Sequence, residues 1–408
     1  MKTVAPNKFT KPELLAPAGD LEKLKVAIIY GADAVFIGGK EFSLRARASN
    51  FTIDDIKTGV EFAHKHNAKV YVTTNIIAHN ENIEGLKDYL TALDEAGVDA
   101  IICADPYIIS TAKSLNLRME IHISTQQSIT NSEAVNFWYD FGASRVVLAR
   151  ELSIAEIAQI RQKTKAELEV FIHGGMCVSY SGRCTLSNNM TDRDANRGGC
   201  AHSCRWNYRL YNKNNELLSK ENSFYNLGSK DLMAVKYIPD LIRAGVDSLK
   251  IEGRMKTVHY IATVVGVYRK LIDDFIEDPD NFQMSDFYVE EIAKAESRLT
   301  SVGALSGKPT YQEQLYNVRS ETPTQEFLGL VLDYDAKTQL ATIEQRNHFK
   351  PGVEVEVYGP HMRKEYAVID AIYDESFNLL DAARHPRQIL KIKLPFKVEP
   401  YDLIRKVR

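Results

Sequence analysis

The sequence has no long apolar run, no low-complexity tract and no marked excess of one charge. Of its 408 residues 44% are hydrophobic, and 51 basic residues face 54 acidic ones. No run is long enough to cross a membrane, and the opening residues, MKTVAPNKFTKPE, lack the apolar core of a secretory signal. We therefore expect a cytoplasmic protein with no membrane partner. A formal net charge of -3 means that any nucleic acid must be met by a local basic surface.

Cysteine is also scarce, and its distribution is uneven. Four of the five cysteines, Cys177, Cys184, Cys200 and Cys204, lie within 28 residues, whereas Cys103 ends an apolar run. Structural disulfides are uncommon in a reducing compartment, so a close group of cysteines predicts metal or redox chemistry.

A recurring phrase organises the first part of the chain. Gly-Ala-Asp, Gly-Val-Asp or a close variant begins at Gly31, Gly97, Gly142 and Gly245, each time after a helical pattern and before β-branched residues. Glycine after a helix can adopt the left-handed cap conformation, so each copy marks a helix-to-strand junction. Eight apolar runs follow this scheme, at 13–16, 34–37, 69–73, 100–103, 119–123, 145–148, 168–172 and 248–251.

Buried strands that alternate with helices predict a parallel sheet covered by helices, and eight units predict closure into a TIM-like (β/α)8 barrel. An open, doubly wound sheet is the alternative. We assign residues 1–320 to the barrel domain, with a cysteine-bearing insertion at about 174–246 after the seventh strand. Residues 326–408 have five or six short strand patterns and predict a small all-β barrel, which could bind RNA or serve only for packing.

Polar residues follow the carboxyl ends of the predicted strands, where barrel enzymes carry their active sites. Turn formation, helix capping and salt bridges at the rim are the alternative explanations for any one of them. We take His173, Glu252 and Arg254 as candidate catalytic residues. The candidate substrate-binding residues are Arg45, Arg47, Thr74, Asn75, Gln126, Arg150, Lys250 and Trp206.

The cysteine spacing, C-x6-C-x15-C-x3-C, indicates which metal centre is favoured. Structural zinc sites usually contain tight C-x2-C pairs, and these are missing here. An iron–sulfur cluster accepts wider spacing because its cysteines bind separate iron atoms, and four thiolates suit a 4Fe-4S cluster. Zinc remains the alternative.

Residues 169–187, EVFIHGGMCVSYSGRCTLS, resemble the signature of peptidase family U-32, the collagenase-like proteases, although Gly175 stands where that family usually has Ala or Ser. Further matches are LAPAG at 15–19, FSLRARASNF at 42–51, SKDL at 229–232 and KIEGRMK at 250–256. The overall layout is similar to the branch called tRNA hydroxylation protein P.

The resemblance implies an enzyme with an iron–sulfur cluster that hydroxylates the wobble uridine of tRNA to 5-hydroxyuridine and draws on prephenate. It makes Cys177, Cys184, Cys200 and Cys204 the cluster ligands, although several relatives have a cysteine where this chain has Met233. The implied partners are tRNA and a small dicarboxylate, and a homologous subunit of the same family remains open.

Two other functions stay open. The family name implies a peptidase, but the sequence has no H-E-x-x-H helix and no G-x-S-x-G elbow. A metal-dependent peptidase, or one with a cysteine nucleophile paired with His173 or His202, is the alternative. The other alternative is an RNA-binding partner subunit in which the cluster is purely structural.

Overall fold

The structure is a computed structural model that describes residues 9–43, 50–295, 298–316 and 325–407. Within these ranges, no helix has the length and apolar character that crossing a membrane requires. The first part of the chain alternates strands with helices: β1 (Glu13–Pro17), α1 (Leu21–Ile29), β2 (Ala34–Gly38), α2 (Ile53–Lys65), β3 (Lys69–Thr74), α3 (Leu86–Glu95), β4 (Ala100–Cys103), α4 (Pro106–Ser114), β5 (Glu120–Ile123), α5 (Ser132–Asp140), β6 (Arg145–Val147), α6 (Ile154–Arg161) and β7 (Glu167–Gly174).

The middle of the chain holds the insertion and the last barrel strand. Its elements are α7 (Leu186–Thr191), β8 (Tyr225–Ser229), β9 (Asp231–Met233), α8 (Ile238–Arg243), β10 (Ser248–Ile251), α9 (Val258–Glu277), α10 (Asp286–Ala293), β11 (Thr300–Ser301) and β12 (Gln314–Tyr316). Strand β9 pairs antiparallel with the end of β7, so the insertion is hydrogen-bonded to the barrel wall.

The barrel is closed. Strands β1 to β7 pair in parallel in chain order, and β10 pairs in parallel with both β7 and β1. The predicted TIM-like barrel is confirmed, and the open sheet is wrong because β10 leaves no free edge between β7 and β1. The junction glycines have the expected backbone, with φ of 106° at Gly31 and 79° at Gly245.

A buried ion cluster fills the barrel interior toward the amino-terminal ends of the strands. Lys250 Nζ donates to Glu169 Oε1 at 2.6 Å, and Arg145 Nη1 lies 3.3 Å from Glu169 Oε2 and 2.6 Å from Glu13 Oε1. Burial alone would raise the pKa of Glu169, but Lys250 and Arg145 outweigh it and hold that pKa below its usual value. The cluster therefore joins strands β1, β6, β7 and β10 through paired charges.

The second unit is an all-β domain, as predicted. Its strands are β13 (Phe327–Asp335), β14 (Leu340–Gln345), β15 (Val353–Tyr358), β16 (Lys364–Ile369), β17 (Ile372–Tyr373), β18 (Leu379–Leu380), β19 (Ile389–Lys393) and β20 (Leu403–Lys406). They form one antiparallel sheet in the order β16-β15-β20-β13-β14-β19-β17-β18. The sheet curls around its own apolar core, which contains Leu328, Val355, Ile369 and Ile392.

Buried polar contacts attach this domain to the barrel helices. Arg405 is fully buried and lies 2.8 Å from Glu356 and 2.7 Å from Glu291 of α10. On α9, His259 makes a hydrogen bond of 2.7 Å to Tyr358 Oη, and its Nε2 lies 3.1 Å from the Lys294 carbonyl. Since a carbonyl only accepts, Nε2 carries the proton and Tyr358 donates to Nδ1.

The charge of Glu169 should be needed for the stability of the barrel. Glu169→Gln leaves two buried cations without their shared carboxylate, so we expect a loss of about 3–5 kcal/mol. Glu167→Gln is the matched control, because Glu167 also pairs with Arg145, at 2.7 Å, but its side chain is 48% exposed, and its loss should be about 0–1 kcal/mol. Urea unfolding measures both variants. Equal losses in the two would contradict a dominant buried cluster.

Acid should loosen the joint between the domains. Burial, together with Arg405, lowers the pKa of His259 to about 4, whereas an unfolded histidine has a pKa of about 6.5. As pH falls from about 6.5 to 4, the unfolded chain takes up a proton that the folded chain does not, so stability decreases. We expect His259→Gln to reduce the slope of stability against pH by up to about one proton in this window. His348→Gln, at an exposed position of the β domain, is the control, and an unchanged slope in His259→Gln would refute this origin.

Candidate functional site

A large cavity of about 830 Å³ opens at the carboxyl ends of the barrel strands. Its walls come from the strand ends, the cysteine insertion, the turn before α9, and Phe327, Arg346 and Asn347 of the second domain. This volume lies within the ~300–1,000 Å³ of typical ligand and cofactor sites. The barrel mouth is thus roofed by the insertion and bordered by the β domain.

Most of the residues singled out in the sequence meet here. The cavity is lined by Asn75, Gln126, Arg150, Lys250, Glu252, Arg254, Cys177, Cys184, Cys200 and Cys204. Lys250 lies on β10, and Glu252 and Arg254 lie in the turn that follows it. All three line the cavity, as do Gly253 and Met255 of the same turn, so strand alternation does not account for their placement. These ten residues come from six places in the chain.

His173 does not join them. Its side chain is buried on the outer side of the wall, where Nδ1 makes a 3.2 Å hydrogen bond with Tyr268 Oη of α9. Burial and Lys256 lower the pKa of His173 to about 3, so the ring is neutral. The pairing of β10 with β7 shifts register between Lys250 and Ile251, and alternation along β7 therefore fails at this position. This placement gives no support to a catalytic role for His173.

Two further candidates lie away from the cavity lining. The Thr74 hydroxyl lies 3.1 Å from Cys103 Sγ inside the barrel wall, and its neighbour Thr73 faces the cavity instead. Trp206 follows the last cysteine and is 41% exposed. Thr73 could have been found from the sequence, because side chains alternate along a strand and Thr73 lies on the same side of β3 as Tyr71 and Asn75. Arg45 and Arg47 lie outside the described residues.

Arg254 is held in place at the ends of β2 and β3. Its Nη1 donates to Ser43 Oγ at 3.1 Å and to Thr73 Oγ1 at 3.2 Å, and its Nη2 donates to Asn50 Oδ1 at 2.8 Å. Gly38 permits this position, since a Cβ there would lie 2.1 Å from Arg254 Nη2. The guanidinium group is thereby fixed in orientation before any ligand arrives.

Hydrogen bonds to the barrel rim fix the first cysteine loop. Ser181, between Cys177 and Cys184, has a left-handed backbone with φ of 38°, which costs a non-glycine residue about 1–3 kcal/mol. The Glu151 carboxylate offsets this cost by accepting from both the backbone N–H and the hydroxyl of Ser181. Arg183 Nε donates to the Gln126 carbonyl at 2.6 Å and ties the same loop to the turn after β5.

The four cysteines influence one another electrostatically. Burial raises the pKa of the Cys204 thiol, Arg205 opposes that rise, and Cys177, Cys200 and Cys184 add to it. Arg150 Nη2 lies 4.0 Å from Cys177 Sγ. Two cations therefore lie beside the thiols, where they would offset the negative charge of thiolate ligands.

The donors around the cysteines fit an iron–sulfur group. Ser203 Oγ and Arg205 Nη1 are buried, line this cavity wall and have no hydrogen-bond partner among the described atoms. Such donors suit the sulfur atoms of a cluster, whose properties depend on these bonds. In the described ranges, no three His, Cys, Asp or Glu side chains are grouped so as to hold a metal ion. Met233 lies on β9 outside the cavity lining, whereas Cys204 is part of it.

Basic side chains outnumber acidic ones in the described cavity lining, which the overall charge of the chain did not indicate. Five of them, Lys250, Arg205, Lys294, Arg298 and Arg346, also pair with carboxylates. Among the described lining residues eight are basic and one, Glu252, is acidic. The basic residues are Arg150, Arg205, Lys250, Arg254, Lys256, Lys294, Arg298 and Arg346. Sequence reasoning missed five of them, Arg205, Lys256, Lys294, Arg298 and Arg346, because no strand-end pattern marks them. A lining of this kind attracts anionic ligands.

Comparison with known proteins supplies the family. The model described as "Peptidase family U32" matches residues 19–315, and that described as "Peptidase family U32 C-terminal domain" matches residues 323–405. The chain belongs to the U32 peptidase family. The resemblance noted in the sequence is thereby confirmed. The alanine that this family usually has at Gly175 would fit, since a Cβ there meets its nearest atoms at 3.4 and 3.5 Å.

Relatives within the U32 family have different names. The chain is 54% identical to "tRNA hydroxylation protein P1" of Bacillus subtilis, over 97% of this chain and 95% of that protein. It is 42% identical to "23S rRNA 5-hydroxycytidine C2501 synthase" of Escherichia coli, over 65% of this chain and 40% of that protein. It is 29% identical to "Collagenase" of Porphyromonas gingivalis, over 96% of both.

The contact between Glu151 and Ser181 should control the order of the cysteine loop. Glu151→Ala removes a charged acceptor worth about 1.5–3 kcal/mol, so amide hydrogen exchange in residues 177–184 should become roughly 10- to 100-fold faster. Glu156→Ala is the control: Glu156 accepts hydrogen bonds from Ser153 at the start of the adjacent α6, and its influence on the loop is limited to a minor electrostatic effect on Tyr180. Mass spectrometry of exchanged peptides gives the result. Equal protection of the loop in wild type and Glu151→Ala would disprove the anchoring.

Proposed function

We propose that this chain hydroxylates a tRNA uridine at C5, converting the wobble uridine to 5-hydroxyuridine, with a 4Fe-4S cluster and prephenate as co-substrate. The observation that carries the proposal is the combination of four cysteines and eight basic side chains on one cavity. The names of the U32 relatives that act on RNA support it, and the similarity to the P1 protein extends over nearly the whole of both chains.

The basic lining suits RNA. Phosphates are bound chiefly by Lys and Arg, and Arg298 and Arg346 line the cavity near the second domain. A base in an anticodon loop is already unpaired, so exposing it costs little and aromatic side chains can stack on it. Trp206, exposed just after Cys204, is our candidate for such stacking.

The barrel floor suits a small dicarboxylate with an apolar ring. Phe36 and Phe171 line the cavity, and the Lys250 ammonium lies 4.6 and 5.4 Å from the centres of their rings. Lys250 and the oriented guanidinium of Arg254 would meet the two carboxylates, since arginine binds carboxylates in bidentate fashion. Arg45 and Arg47 remain further candidates for this ligand by resemblance.

The chain's own residues divide the remaining work. Cys177, Cys184, Cys200 and Cys204 would hold the cluster, which supplies one-electron redox chemistry when bound. Arg150 and Arg205 would balance its charge, and Ser203 would donate to its sulfur. Glu252, the acidic residue of the described lining, is our candidate for proton transfer at the target base. The wide spacing of the four cysteines along the chain favours a cluster over zinc.

The peptidase function has less support. Its cysteine–histidine version requires an imidazole beside a thiol, and His173 faces α9 instead. His202 does line the cavity with the four clustered cysteines. A cysteine peptidase would therefore have to use His202 together with one of those cysteines.

The first test is the metal content of anaerobically purified protein. Wild type should contain about four iron and four acid-labile sulfide per chain, and Cys184→Ser should lose most of both. Cys103→Ala is the matched control, because Cys103 is buried in the barrel wall away from the cavity, and it should keep the iron. A colourless, zinc-loaded wild type would overturn the cluster and favour the peptidase.

The same variants test the reaction. In a strain that lacks this gene and that of any homologous partner, wild type and Cys103→Ala should restore 5-hydroxyuridine in tRNA, measured by mass spectrometry of nucleosides. Cys184→Ser should not restore it. Unchanged 5-hydroxyuridine in the deletion strain would reject the RNA function, and restoration by Cys184→Ser would leave the cluster with a structural role only.

A further inference from the structure

Gln126 presents an unsatisfied hydrogen-bond donor to the cavity. The residue is 2% exposed, it lines the cavity, and its side-chain nitrogen, Nε2, has no partner among the described atoms. Leaving a buried amide N–H unpaired costs about 1–3 kcal/mol, so this group is expected to meet an acceptor when the site is filled.

The orientation of this amide is set by its neighbours. Gln126 Oε1 accepts from Asn75 Nδ2 at 2.8 Å and from Ser124 Oγ at 3.1 Å, which uses both of its lone pairs. The backbone is held as well, because Arg183 Nε donates to the Gln126 carbonyl. With the oxygen occupied, the nitrogen is the part of the side chain left for a ligand.

The chemistry of the donor indicates which acceptor it meets. A neutral amide suits a neutral carbonyl, whereas the carboxylates of a co-substrate are better met by the cations of Lys250 and Arg254. Uracil has a carbonyl oxygen, O4, next to C5, and cytosine has an amino group at that position. An amide N–H facing this edge accepts uracil and opposes cytosine, whose amino group would leave two donors face to face.

We propose that the side-chain amide of Gln126 donates to O4 of the target uracil and makes the site selective for uridine over cytidine. This inference rests on the proposed function and adds the means by which the base is selected. Asn75 and Ser124 act as positioning residues, since they hold Gln126 Oε1 and thereby present Nε2. The U32 relative named as a 5-hydroxycytidine synthase shows that the family is not confined to one pyrimidine.

The test compares binding of three anticodon stem-loops to anaerobically purified protein. Their target nucleoside is uridine, cytidine or the 2-pyrimidinone nucleoside, which lacks O4. Wild type should prefer uridine over the other two by about tenfold or more, because one such contact discriminates by about 1–3 kcal/mol. Gln126→Met keeps the length of the side chain but removes the donor, and its three affinities should become equal within about twofold. Gln126→Glu presents an acceptor and should prefer cytidine.

Control variants distinguish a failure of this inference from a failure of the proposed tRNA hydroxylation. Gln162→Glu adds the same charge at an exposed position outside the cavity and should retain the wild-type preference. Iron content and thermal midpoint show that each variant is folded and loaded. A wild type that binds none of the stem-loops would reject the RNA function itself. A binding wild type whose uridine preference survives in Gln126→Met would reject the role of Gln126 alone. An unchanged preference with weaker prephenate binding in Gln126→Met would assign the amide to a carboxylate and overturn the proposal.

Discussion

The ion pair between Lys250 and Glu169 lies in the barrel interior, where both side chains are buried, and it joins the two strands that lead into the site. Strand β7 continues into the cysteine loop, and β10 continues into Glu252 and Arg254. A buried charge without its partner is costly, so the pair opposes any sliding of one strand against the other. The cysteines and the oriented arginine are thereby held at one barrel mouth, and the rest of the site depends on that register.

Charge is distributed in the protein according to depth. Deep in the barrel, the carboxylates of Glu13 and Glu169 pair with Arg145 and Lys250, and Lys250 also lines the cavity floor. At the mouth, one carboxylate, Glu252, lies among eight basic side chains in the described lining, and five of those eight also pair with carboxylates. The surplus positive charge matches what the proposed reaction would bring together: thiolate ligands, a dicarboxylate and RNA phosphates. A chain of nearly neutral net charge can therefore concentrate basic side chains at one site.

Rigidity is built into each wall of the cavity before a ligand binds. Glu151 fixes the first cysteine loop, Gly38 and Thr73 admit and hold the guanidinium of Arg254, and Asn75 orients the amide of Gln126. The β domain belongs to this framework, because its buried contacts with α9 and α10 carry Arg346 to the cavity edge. Groups that are oriented in advance lose less entropy when a ligand binds. Their fixed orientation also allows the site to select one base over another.

The sequence alone determined the barrel, the all-β second domain and the candidate metal ligands. Hydrophobic period and junction glycines are local features, and strand-end residues of a parallel barrel must share one edge, so Asn75, Gln126, Arg150 and Arg254 could be found without coordinates. Tertiary structure alone decided that His173 faces α9, because a register shift between β7 and β10 is not written in either strand. It also decided that Arg346 reaches a cavity whose cysteine wall lies more than a hundred positions earlier in the chain and that Gln126 keeps an unsatisfied donor. Such facts depend on contacts between segments that are distant in the sequence. The hydrophobic pattern of one chain indicates which residues are buried, but it does not indicate which buried residues contact one another.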